Sequence, residues 1–374
     1  MPYEPGWIAE APAMPHDSDH QPHSESAQRA DSRPGNLDQP DGRDQHHTFD
    51  PEQASARSGE PVPALLPLSV WACAQRPAGW QRRGRYLPAT TSHPAKMLPA
   101  LAATAITSYT RPGELVFDPM CGIGTTLVEA VHLDRTAIGI ECEQRWANLA
   151  RANLDLAREH AAAGTGAVIA GDARNAGALI SDPHIVGKVA LLLTSPPYGQ
   201  ATHGQVRSTR ESGHAGVRKY DYGYGKNPRN LARGSHDRLL SGFTDILTGC
   251  LPLLRPGGIV VITTRPFRRH GHLVDFPAQA WAAAQDAGLE PVQRVVALLC
   301  GIKDDRLVTR ASFFAMHETR KARAAGLPLH VNAHEEVLVL RRPPTRTAPK
   351  GPEAGLGPSS ADAQAHSRPE GRQP

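Results

Sequence analysis

Between about residues 61 and 342, short apolar runs alternate with longer stretches in which apolar positions recur every three or four residues. The runs Leu115–Asp118, Ala137–Glu141, Ala167–Asp172, Val189–Thr194 and Ile259–Thr264 read as buried strands. The stretches 125–133, 143–160, 237–254 and 274–287 read as helices from their periodicity and alanine content. Gly257-Gly258 after Leu254-Arg255-Pro256 reads as a helix stop followed by a strand start. Two more strands, about 291–300 and 335–341, complete the set. This alternation predicts an α/β fold, a mostly parallel sheet with helices on both faces. Ligands bind such sheets outside the carboxyl ends of the strands. The residues closing the runs therefore matter most: Asp118, Glu141, Asp172 and Thr194-Ser195.

Outside that window the pattern stops. Residues 1–60 are rich in Pro, His, Asp, Ser and Gln and nearly empty of aliphatic residues, and 343–374 have the same composition. Such segments bury too little apolar area to offset their ordering entropy, so both are expected to be disordered. The irregular spacing of His16, His20, His23, His46 and His47 fits a solvated tail, and no metal site is expected. The domain expected to fold is 61–342, with insertions at about 200–236 and 301–333.

No run of eighteen apolar residues and no basic-then-apolar leader occurs, which predicts a soluble cytoplasmic protein with no membrane partner. The five cysteines form no CxxC pair, which argues against structural zinc and a disulfide framework. A formal charge of +4 over 374 residues permits a polyanionic partner without requiring one.

The first strand runs into Asp118-Pro119-Met120-Cys121-Gly122-Ile123-Gly124-Thr125-Thr126, and a helix follows at once. Two glycines in a tight strand-to-helix turn let backbone approach a ligand and leave helix N–H groups pointing at it. The phosphate-binding versions do not fit: there is no GxxxxGK[ST], and Leu127 stands where GxGxxG has its third glycine. What remains suits a ligand with an ammonium group and no pyrophosphate. Glu141, nineteen residues past Gly122, can accept both hydroxyls of a ribose, and Asp172 can accept from an adenine amino group. Three acids at successive strand ends after one glycine turn point to a nucleoside site.

The string Asp118 to Thr126 resembles the cofactor motif of the DNA amino-methyltransferases, Asp-Pro-Phe-x-Gly-x-Gly-Thr. That resemblance implies a Rossmann-like sheet binding S-adenosylmethionine. The methionine part would fall on Asp118, Pro119, Cys121, Gly122, Gly124, Thr125 and Thr126, the ribose on Glu141 and the adenine on Asp172. Upstream, His93-Pro-Ala-Lys96-Met97 is similar to the family's His-Pro-x-x-Lys-Pro segment, which lines the cofactor pocket. His93 and Lys96 carry over, although Met97 replaces the usual proline, and a helix over 95–108 would follow.

The fourth strand runs into Ser195-Pro196-Pro197-Tyr198, 71 residues past Gly124. Two prolines stiffen the turn and leave carbonyls free to accept. The lone pair of a base's amino group is conjugated with the ring. Accepting both N–H hydrogens draws that nitrogen toward a tetrahedral form and frees the pair for in-line attack on a sulfonium methyl. Ser195 Oγ and the Pro196 carbonyl suit that role, and Tyr198 can stack on the base for roughly 1–3 kcal/mol. This offsets part of the cost of extracting a base from a duplex. The turn again resembles the amino-methyltransferases, whose serine form is associated mostly with cytosine N4. Cytosine C5 chemistry needs a Pro-Cys nucleophile, and the chain has none.

From 199 to 238 eight Lys/Arg face three acids. Arg207, Arg218, Lys219 and Lys226 can neutralise phosphates, and Tyr220 can stack on a base, so this stretch is the expected nucleic-acid contact. Arg265-Pro-Phe-Arg-Arg-His270 can extend the groove. DNA is the expected substrate. Two other readings are a tRNA guanine-N2 enzyme, which usually carries Asp in place of Ser195, and a catalytically silent nucleic-acid-binding regulator.

Overall fold

The computed structural model describes residues 66–198, 223–269, 271–311 and 313–344, and the backbone of 205–208 and 217–220. The expectations for 1–60 with its histidines, for the tail beyond 344, for most of 199–222 and for the side chains of Phe313 and Phe314 lie outside the described residues.

Eight strands make one sheet: β1 (Val70–Trp71), β2 (Leu115–Asp118), β3 (Thr136–Glu141), β4 (Gly166–Ala170), β5 (Val189–Thr194), β6 (Leu254–Thr264), β7 (Glu290–Leu298) and β8 (His334–Arg341). Their order is β1-β7-β8-β6-β5-β2-β3-β4. From β4 to β6 neighbours are parallel. β8 enters antiparallel between β6 and β7, and β1 lies parallel on the outer side of β7. After β2 the chain builds β3 and β4 on one side, then crosses to β5 and β6 on the other. The reversal falls between β2 and β5, where the carboxyl ends of an open α/β sheet leave a crevice for ligands.

The central strands β2, β3 and β5 are apolar because both their faces are buried. Val116, Leu191, Leu193, Val261, Val337 and Val339 point into one core. Their immediate neighbours Phe117, Leu192, Val260, Ile262 and Leu338 point into the other. The first core is covered by α1 (Pro99–Tyr109), α2 (Thr125–His132) and α3 (Gln144–Glu159), which contribute Leu101, Ile106, Leu127, Val128 and Leu154. The second is covered by α4 (His236–Cys250) and α5 (Phe276–Asp286), through Phe243, Leu247, Phe276 and Ala280. Each fully buried large side chain of this kind stabilises the fold by about 1.5–3 kcal/mol relative to exposure.

Four boundaries differ from the sequence reading. The helix expected over 237–254 ends at Cys250, because Pro252 cannot continue it and sits in the 3-10 turn Leu251–Leu253. β6 already begins at Leu254 and runs through Gly257-Gly258, so the glycines mark an irregularity inside the strand rather than its start. The helix expected from 95 begins at Pro99, whose fixed φ suits a first turn. β4 stops at Ala170, so Asp172 stands two residues beyond it. The insertion at 301–333 is folded: the hairpin Cys300–Lys303/Arg306–Thr309 is followed by α6 (Phe313–Ala324).

Candidate active site

The glycine turn joins β2 to α2. Gly122 and Gly124 have φ of 54° and 82°, a region open to glycine but costly for other residues. A β-carbon at Gly122 would stand 3.2 Å from His93 Nε2, and one at Gly124 would stand 3.2 Å from the Ala150 β-carbon. Gly124 then caps α2, whose first residues Thr125 and Thr126 are buried. Asp118 Oδ2 accepts from Thr126 Oγ1 at 2.7 Å, while Oδ1 accepts from Thr194 Oγ1 at 2.9 Å and from Met120 N at 3.1 Å. Burial pushes its carboxyl up to about 6 against the pull of those three donors. Thr194 is the last residue of β5, so this carboxyl ties the glycine turn to the turn that begins at Ser195. Pro119 and Cys121 line the cleft beside it.

Glu141 closes β3. Its Oε2 accepts from Gly122 N and its Oε1 from Glu143 N, both at 2.8 Å. Each oxygen keeps a lone pair for a further donor, the pattern needed to hold two vicinal hydroxyls. Burial raises this carboxyl above its ordinary value. Asp172 caps the turn that follows β4, and Arg174 forks across both its oxygens at 2.8–3.1 Å. Burial pushes Asp172 up, but Arg174, with Arg229 4.0 Å away, outweighs it and holds the carboxyl below the ordinary aspartate range. An incoming amino group at Asp172 would therefore compete with Arg174.

His93 is buried, with Trp146 at 4.6 Å and Tyr224 at 5.6 Å between ring centroids. Burial first, then the Lys96 ammonium, pushes its imidazole down to about 3. Lys96 Nζ donates to the His93 carbonyl at 2.6 Å.

The Ser195 turn leaves β5 toward β6. Ser195 and Pro197 are half-buried; Pro196 and Tyr198 are buried. The Tyr198 ring packs edge-on against Phe267 at 5.9 Å and Phe276 at 5.6 Å, and the Arg265 guanidinium sits 5.5 Å over it. Burial pushes the phenol well above its ordinary range, and its hydroxyl has no hydrogen-bond partner among the described residues. The expected stacking face is thus covered by a cation.

One cleft of about 420 Å³ takes in both turns. At one end stand the glycine turn, His93, Lys96, Glu141, Trp146 and Asp172; at the other stand Ser195–Tyr198, Arg265, Leu299, Arg310 and Glu335. The volume lies in the range of sites for small organic ligands. Spare acceptors on Glu141 and a helix N-terminus behind two glycines fit a nucleoside carrying an amino-acid tail.

Of the expected nucleic-acid contacts, Arg207, Arg218, Lys219 and Tyr220 fall on the hairpin Gln205–Ser208/Val217–Tyr220, where Arg207 pairs with Arg218. Lys226 is exposed near the cleft. Tyr224 sits at the glycine-turn end of the cleft beside His93, with its carbonyl accepting from Trp146 Nε1. Sequence reasoning missed the residues that fasten this segment. Glu143 Oε1 accepts from Asn227 N at 2.9 Å and Asn230 Nδ2 at 3.0 Å. Fully buried Asn153 donates to the Ile123 carbonyl at 2.9 Å and accepts from Leu87 N at 3.0 Å. Glu129 accepts from Tyr86 Oη at 2.6 Å and pairs with Arg85 at 2.7 Å. An acid two residues past Glu141 was a visible signal for the first; the others join positions thirty or more apart and leave no local trace.

Comparison with known proteins bears on this geometry. A DNA methylase family of the N6/N4 type matches residues 31–152. The type II methyltransferase M.SmaI of Serratia marcescens is 39% identical over 67 residues, which is 18% of this chain and 23% of that protein. Among solved structures, TrmN of Thermus thermophilus aligns at 19% identity over 70% of this chain and 53% of that one, with a TM-score of 0.38. An S-adenosylmethionine-dependent O-methyltransferase of Thermotoga maritima aligns at 11% identity over 68% of each chain, also with a TM-score of 0.38. The chain thus spans about half of TrmN and under a quarter of M.SmaI. Likenesses of this looseness say nothing of substrate.

Proposed function

We propose that this chain, which over residues 31–152 matches the N6/N4 type of DNA methylase, methylates the exocyclic amino group of a DNA base, cytosine N4 in preference to adenine N6. The observation that carries this reading is the Thr194–Asp118 hydrogen bond of 2.9 Å. It holds the nucleoside-binding turn and the Ser195 turn side by side in one cleft.

S-adenosylmethionine, when bound, supplies an electrophilic methyl on sulfur. The chain's own residues do the rest. Glu141 would hold the ribose hydroxyls on acceptor capacity that Gly122 N and Glu143 N leave free, and the α2 N-terminus would hold the carboxylate of the methionine part. Asp118 is largely committed to Thr126, Thr194 and Met120, so its main work is bracing, with its remaining acceptor capacity directed at the ammonium. His93, held neutral by burial, fills the space beside Gly122 and fixes the turn's shape. Ser195 Oγ and the Pro196 carbonyl accept the two amino hydrogens of the base. Its nitrogen then presents its lone pair in line with the sulfur–methyl bond, a gain in orientation rather than in acid–base chemistry. The serine at 195 is what favours cytosine in this reading.

Purified protein with radiolabelled S-adenosylmethionine is expected to label duplex DNA and not tRNA, and nucleoside mass spectrometry of the product to yield N4-methyldeoxycytidine. Ser195→Ala is expected to lower transfer by roughly 10²–10³-fold, the scale for losing one well-placed transition-state contact, while calorimetry shows cofactor affinity within twofold of wild type. Label on tRNA would exchange the substrate. Undiminished transfer by the Ser195 variant would remove the catalytic assignment.

A further inference from the structure

The far end of the cleft carries a cation with no assigned work. Arg265 is the first residue past β6, and it lines the cleft. Register fixes its neighbourhood: Thr194 pairs with Ile262, so Arg265 emerges beside the Ser195 turn, one strand over. β8 pairs Glu336 with Thr264, which sets Glu335 one strand beyond Arg265. The guanidinium lies 5.5 Å over the Tyr198 ring and also favours the charge of the nearby Glu335 carboxylate, with no hydrogen bond to it. Such a cation–aromatic contact is worth about 0.5–2 kcal/mol, so an arriving base can displace it. Five N–H donors in a planar fork then face whatever occupies the space above Tyr198.

With its exocyclic amine on Ser195 and the Pro196 carbonyl, a base whose pairing edge lies along the sheet toward β6 would bring its next atoms to Arg265, which the register sets one strand over. In cytosine those atoms are N3 and O2, two adjacent acceptors that a guanidinium fork meets together. In adenine they are N1 and a C2–H, so one donor is left facing carbon. In a guanine presenting its N2 amine, one neighbour is an N–H, which opposes a donor. Only cytosine offers the fork two acceptors.

We propose that Arg265 is a specificity-determining residue that reads N3 and O2 of an extruded cytosine, moving off Tyr198 as the base takes its place. The inference rests on the cytosine reading above and adds the residue that enforces it. A matched bidentate contact of this type discriminates by roughly 5- to 150-fold.

The test uses the full chain, mixed-sequence phage DNA and nucleoside mass spectrometry, with S-adenosylmethionine affinity measured by calorimetry. Wild type is expected to form N4-methyldeoxycytidine. Arg265→Met is expected to lower that rate by roughly 5- to 150-fold and to raise the share of N6-methyldeoxyadenosine, with cofactor affinity unchanged within twofold. Arg265→Lys keeps a cation over Tyr198 but not the fork. It is expected to match wild type in melting temperature and cofactor affinity yet stay depressed in cytosine methylation, which also decides the matter if the Met variant fails to fold. Wild-type cytosine rate and base ratio in the Lys variant would overturn the inference and leave the methyltransferase reading standing. N6-methyldeoxyadenosine from the wild type would overturn the cytosine reading and the inference together.

Discussion

His93 and Asp118 flank the same glycine turn, and burial moves their protons in opposite senses. His93 falls from 6.5 to about 3, so in acid the unfolded chain takes up a proton the folded one refuses. Its contribution to stability is present above pH 6.5 and is lost as pH falls toward 3. Asp118 rises from 3.8 to about 6, so its contribution is present below pH 3.8 and is lost as pH climbs through 6. Between those limits the two effects oppose, and removing either exposes the other. His93→Gln is expected to gain stability at pH 4.5 relative to pH 7.5, compared with wild type, by on the order of 2 kcal/mol. Asp118→Asn is expected to gain at pH 7.5 relative to pH 4.5 by a similar amount, on the order of 2 kcal/mol. Urea denaturation at the two pH values measures both; shifts of the same sign in the two variants would remove the assignments. These residues were legible in the sequence because each belongs to a short contiguous motif. Their environment was not legible: Thr194 reaches Asp118 across 76 positions, and nothing local announces it.

Among the elements, the central strands β2, β3 and β5 were legible because each is buried on both faces and so reads as an apolar run. The part that locks them was not. The segment before α1 wraps the outside of α2 and α3, and its grip is polar: Leu87 and Ile123 meet on the two ends of the Asn153 amide. An asparagine in the middle of a helix reads as an exposed position, and only the fold shows that it is wholly buried. Replacing it with leucine keeps the volume and abandons one amide hydrogen and one carbonyl in the interior, at about 1–3 kcal/mol for each group left unsatisfied. Because Ile123 lies inside the glycine turn, Asn153→Leu is expected to lower thermal stability and to weaken S-adenosylmethionine binding together. A variant that melts early but binds the cofactor as wild type does would mean the clasp holds the fold without shaping the site.

Across the whole molecule, basic residues recur in the hairpins that follow one edge of the sheet. Hairpins follow the carboxyl ends of β5, β6 and β7: Gln205–Ser208 with Val217–Tyr220, Phe267–Arg269 with His272–Val274, and Cys300–Lys303 with Arg306–Thr309. The three carry Arg207, Arg218 and Lys219, then Arg268 and Arg269, then Lys303 and Arg306. A polyanion held by the exposed Arg268 and Arg269 would lie beside the Ser195 turn, since the neighbouring Phe267 packs on Tyr198. Arg268 and Arg269 are exposed, and the ring of Phe267 next to them packs on Tyr198, which links this hairpin to the reaction centre. If both side chains neutralise phosphates, changing the pair to alanine reduces the slope of log affinity for duplex DNA against log salt by about 1.8, at about 0.9 per contact. Affinity at low salt falls while S-adenosylmethionine affinity does not. Fluorescence anisotropy across a salt series reads the slope directly. An unchanged slope for this pair, with a reduced one for Lys303 and Arg306, would move the DNA path to the β7 hairpin. A slope that neither pair alters would take the backbone away from this edge and leave the cleft to be approached by a base without its duplex.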